Sequence, residues 1–165
     1  MKRLALIMII VLVVISQVTG QINPELQRFS DLIGNGYGNI DLEVFTAFHG
    51  SNYEKVSLDN PYPNVDEKDE VWKLVYPGGE FYFYQFHRNG NIALILWVLT
   101  SEFDMPAPYE SIFGLSLGEI RRRFGREHFW FSNSIASHGQ SYGALRFHYT
   151  DKQKVYQISW AADFP

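Results

Sequence analysis

The chain has 165 residues, with 14 basic and 18 acidic side chains for a net charge of -4, ten Tyr, thirteen Phe, four Trp and no cysteine. An acidic balance of this kind argues against a nucleic-acid binder, and the lack of cysteine excludes disulfides and lipid attachment through a lipobox. The high aromatic content favours strands and sheet faces.

Met1 to Gly20 has the anatomy of a secretion signal. Lys2 and Arg3 form a basic n-region, Leu4 to Ile15 is an unbroken apolar run, and Val18-Thr19-Gly20 offers small residues for cleavage before Gln21. The run is short for a bilayer span of about 20 residues, and polar Ser16 and Gln17 follow it. Residues 1-20 therefore read as a signal peptide, with an uncleaved anchor as the alternative. The expectation is a soluble exported bacterial protein, periplasmic or secreted, with no integral membrane segment after cleavage. Removing Lys2 and Arg3 leaves 12 basic against 18 acidic residues, a mature charge of -6. About 145 residues remain, enough for one compact domain or two small, intimately packed ones, with a sizeable core.

Asn23-Pro24-Glu25 opens a first short helix with Leu26, Phe29, Leu32 and Ile33 on one face before Gly34. A second helix is predicted from a cap at Asp41 through Phe48 to a stop at Gly50. A third has a complete set of signals: Ser116 and Glu119 form a capping box, Leu117, Ile120 and Phe124 share a face, and Gly125 ends it. Strands are predicted at Tyr53 to Leu58, Val71 to Tyr76, Glu80 to His87 and Ile92 to Thr100, separated by the acidic loop Asp59 to Asp69 and by turns at Pro77-Gly78-Gly79 and Asn89-Gly90. The nearly continuous apolar run Ile92 to Leu99 reads as a central strand covered on both faces. After the linker Met105-Pro106-Ala107-Pro108 and the third helix, strands are predicted at Glu127 to Ser132, Tyr142 to Tyr149 and Val155 to Ala161, with a polar loop through Ser137-His138-Gly139. Trp97 finds a counterpart in Trp160.

The fold class that follows is α+β: two repeats, each a helix followed by antiparallel strands, forming one curved antiparallel sheet with the helices on one face. The first repeat, with the N-terminal helix, spans residues 21-105 and the second 106-165. The stretch Phe113-Gly114-Leu115-Ser116-Leu117-Gly118-Glu119 through Phe124-Gly125, followed by a hairpin and Ile158-Ser159-Trp160, resembles exported helix-plus-sheet modules of the SmpA/OmlA (BamE-like) type. Two such modules in tandem resemble beta-lactamase-inhibitor-protein-like folds. The resemblance implies a protein-binding or structural module of the cell envelope rather than an enzyme.

Chemistry-bearing motifs are sparse. His49, His87, His128, His138 and His148 lack metal-ligand spacing, Ser116 is accounted for as a cap, and no cofactor or catalytic residue is expected. The run Arg121-Arg122-Arg123 with Arg126 reads as the solvated, dipole-matched end of a helix. In Phe81-Tyr82-Phe83-Tyr84-Gln85-Phe86 both alternating sets are aromatic, so a sheet covered on one face leaves one set outward. Tyr82, Tyr84 and Trp130 are accordingly the expected binding residues for a protein or peptide partner. The alternative is a small-ligand carrier or enzyme with a pocket on the curved sheet.

Overall fold

The computed structural model describes residues 24-33, 39-61, 66-125, 129-130, 134-137 and 143-162. Residues 1-20, read from the sequence as a signal peptide, lie outside the described residues, as do His128, His138 and Arg126. Among the described residues three helices, α1 (Pro24–Ile33), α2 (Leu42–His49) and α3 (Leu117–Phe124), accompany eight strands: β1 (Glu54–Leu58), β2 (Glu70–Tyr76), β3 (Gly79–Gln85), β4 (Ile92–Thr100), β5 (Phe129–Trp130), β6 (Ser134–Ser137), β7 (Gly143–Tyr149) and β8 (Val155–Ala162). The strands form one antiparallel sheet in the order β1-β2-β3-β4-β8-β7-β6-β5. An α+β fold with an antiparallel sheet is what the periodicities predict.

The caps do what their residue types allow. Asp41 accepts the amides of Glu43 and Val44 at the start of α2. At α3, Ser116 Oγ accepts from the Glu119 amide at 3.3 Å while Glu119 Oε2 accepts from the Ser116 amide at 2.7 Å, a reciprocal capping box. Gly50 and Gly125 follow the two helices at positive φ.

All three helices lie on one face of the sheet. Phe29 of α1 meets Trp97 and Phe147, Phe45 of α2 stands edge-on to Phe81 and Phe83, and Phe124 of α3 packs on Phe147. These rings belong to a single buried cluster that also holds Trp72, Trp160, Ile120 and Ile158. Arg123 is part of this packing instead of being a solvated charge: its Nε meets Glu25 Oε1 at 3.0 Å and its guanidinium lies 4.6 Å over the Tyr109 ring.

Two local expectations differ. Ser134–Ser137, assigned to a polar loop, is a strand, because pairing with β7 satisfies its backbone whatever its side chains are. β4 is central, pairing β3 and β8, yet no described helix packs on its second face, and Leu96 and Val98 there are half-buried.

Candidate binding site

On the sheet face away from the helices, one of the three aromatic residues anticipated as outward is not outward. Tyr84 is fully buried, a correction to its assignment as an outward binding residue. Its hydroxyl donates to Asp69 Oδ2, while Asp69 Oδ1 accepts the His87 amide at 2.7 Å and Asn60 Nδ2 donates to the Asp66 and Asp69 carbonyls. The loop approaching β2 thus folds over this end of the sheet and covers the ring. Burial, and next the hydrogen bond to Asp69, push the Tyr84 phenol up to about 12.

Tyr82 is half-buried on the same face. Its hydroxyl donates to Glu80 Oε2, Lys73 Nζ reaches Glu80 Oε1 at 2.9 Å, and Lys73 Nζ stands 5.3 Å over the Tyr82 ring. The hydrogen bonds from Tyr82 and then Lys73 hold the Glu80 carboxyl below its ordinary value. The polar tip of Tyr82 is therefore already engaged. Trp130 lies in β5 opposite Ser134, and its side chain is outside the described residues.

The surface where exposed apolar groups gather is elsewhere. Between the C-terminal end of α2 and the segment 102-110 opens a cleft of about 690 Å³, with Phe48, His49, Tyr76 and Phe103 in its wall and the solvent-exposed Glu102, Asp104 and Glu110 around it. Pro77, at the start of the turn Pro77-Gly78-Gly79, lines one side. Gly78 has φ 71°, and a Cβ there would collide with the backbone of Glu102 and Phe103. Thr100 donates its amide to the Gly78 carbonyl at 2.7 Å, and Phe103 donates to the Thr100 carbonyl at 3.0 Å. The Phe103 ring is thereby seated on Gly79, 5.7 Å from Phe81 and 6.2 Å from Tyr76.

His49 closes α2 among rings: Phe45 at 4.5 Å, Phe48 at 4.9 Å and Phe81 at 5.0 Å between centroids. Burial lowers its pKa to about 4, and a hydrogen bond with the Ile33 backbone works in the opposite direction. At neutral pH the ring is uncharged. Tyr76 is 5% exposed, and its hydroxyl has no hydrogen-bond partner among the described residues. Burial and the adjacent Tyr53 push its phenol up to about 12.

Val44 and Phe48, four residues apart on α2, are 65% and 52% exposed, and Tyr53, whose ring is 5.5 Å from that of Tyr76, is 38% exposed. Phe48 also borders a second hollow of about 230 Å³ shared with Leu32 and Val44. Sequence reasoning passed over this site, although a signal was present. Leu42-Glu43-Val44-Phe45-Thr46-Ala47-Phe48-His49 carries more apolar residues than one buried stripe requires, and the surplus is Val44 and Phe48.

The chain matches no protein-family profile, no characterised protein and no solved structure with which it was compared. Among the described residues no helix is long and apolar enough to cross a membrane.

Proposed function

We propose that this protein is a non-catalytic binding module exported to the cell envelope, periplasmic or secreted, and that it receives a protein partner at the α2 cleft. One observation carries the reading. Of the five large apolar side chains exposed among the described residues, Phe48 lines the aromatic cleft, Val44 lines the neighbouring hollow that shares Phe48, and the Tyr53 ring stands 5.5 Å from Tyr76 of the cleft wall. Exposed apolar groups gathered at one place favour an interaction surface, since scattered ones need no explanation. The signal-like residues 1-20 support export, and the resemblance to BamE-like modules points toward protein binding.

A binding role is also supported by the chemistry of the wall. His49 is neutral and ringed by phenylalanines, and no Ser, Thr, Cys or Lys is among the described residues that line the cleft. It offers contact area instead of an activated nucleophile.

The test is capture from native envelope extract with mature protein as bait. Phe48→Ala should leave the melting temperature within about 2 °C of wild type, because the ring is half in solvent, while the captured partner is lost. Tyr82→Ala should retain it. Loss of the partner with Tyr82→Ala and not with Phe48→Ala would transfer the site to the sheet face.

A further inference from the structure

We propose that the α2 cleft takes a lysine or arginine side chain of the partner polypeptide, an inference that rests on the cleft being the protein-binding site. Glu102, Asp104 and Glu110 are exposed around the cleft, and none of the three is ion-paired among the described residues. Three uncompensated carboxylates around one hollow concentrate cations there, and the acidic charge of the whole chain acts in the same direction. Inside, Phe48, Tyr76 and Phe103 line the hollow, and aromatic rings attract an ammonium or guanidinium. His49 is the one basic side chain in the described lining, and burial keeps it uncharged at neutral pH, so no fixed positive charge opposes the ligand.

Tyr76 gives an independent indication. It belongs to the cleft wall, is 5% exposed, and holds a buried hydroxyl without a partner among the described residues. Such a group is unfavourable, and a small displacement of the wall on binding would let an N–H of a cationic side chain satisfy it. A polypeptide is favoured over a free amine because Val44, Phe48 and Tyr53 present apolar area that only residues flanking the cationic one would cover.

The probes are an acetylated, amidated Leu-Arg-Leu tripeptide, the same peptide with neutral citrulline in place of arginine, and spermidine, each titrated into isotope-labelled mature protein. The arginine peptide should shift the amide resonances of Phe48, Asn52 and Phe103 and bind roughly 10-fold more tightly than the citrulline peptide at low salt, losing that advantage at high salt. Combined Glu102→Gln, Asp104→Asn and Glu110→Gln should remove the preference without unfolding the protein, since all three residues are exposed. Tyr76→Phe should fold at least as stably as wild type and weaken the arginine peptide several-fold. Equal binding of the arginine and citrulline peptides would overturn the cation preference, and tighter binding of spermidine than of the peptide would overturn the polypeptide as its source. If Phe48→Ala abolishes two equally bound peptides, the cleft stands as a protein site and only the cationic specificity falls.

Discussion

His49 is the residue whose surroundings most alter its chemistry. Its pKa falls from 6.5 to about 4 because the ring is taken from water into a nest of Phe45, Phe48 and Phe81. As pH drops below 6.5 the unfolded chain takes up a proton that the folded chain refuses until about pH 4, so the stability present above 6.5 is lost across that window. The loss amounts to about 2–3 kcal/mol. Denaturant unfolding of wild type and His49→Phe at pH 7, 6, 5 and 4 should show the variant losing less stability by that amount, while carboxylate titrations common to both cancel. Identical pH slopes would mean that the ring stays solvated. Little of this site was legible beforehand. Alternation along Phe81 to Phe86 correctly separates Phe81 and Phe83 from Tyr82 and Tyr84, but alternation says only that Tyr84 faces away from the helices. That a carboxylate 15 residues earlier in the chain, Asp69, would fold over to meet its hydroxyl is a long-range event without local periodicity.

At the scale of elements, the features most faithfully read are those whose signals are local and chemically redundant. α3 is the clearest: cap, box glutamate, apolar stripe and glycine stop agree, and the helix runs Leu117–Phe124 as they require. Because the Ser116 hydroxyl serves the helix and no ligand, Ser116→Ala should cost about 1 kcal/mol, visible as a lower denaturation midpoint, with the α2 cleft unchanged. A change in peptide binding at the cleft would show that the cap does more than hold its helix. β6 was missed for the opposite reason. Ser134-Ile135-Ala136-Ser137 has little strand propensity of its own and takes its conformation from hydrogen bonds to Gly143-Ala144-Leu145-Arg146. α1 was recognised, though not its station. Expected to belong with residues 21-105, it packs Phe29 against Trp97 but also against Tyr109, Phe124 and Phe147 from beyond residue 105.

That position of α1 determines how the whole molecule should come apart. The strand order reads outward alike from the β4–β8 junction, each side a helix followed by a four-stranded meander, which by itself would permit two independently stable units. The junction argues otherwise. β4 and β8 are joined from Leu96↔Ala161 to Thr100↔Gln157, with Trp97 directly opposite Trp160, and both indoles are 1% exposed. Phe29 then lies across the seam, and Arg123 ties α1 to α3 through Glu25. With one core shared by both sides, unfolding either half exposes indole and phenylalanine surface of the other, so the transition should be all-or-none. Trp97→Ala should cost about 3–5 kcal/mol, and that loss should appear everywhere at once. Native-state hydrogen exchange is the measurement: the amides of Leu74 in β2 and Phe147 in β7, on opposite sides of the seam, should lose protection by the same factor, on the order of 100-fold or more. Protection lost at Leu74 and kept at Phe147 would mean that each half carries its own stability and that the tryptophan pair only joins them.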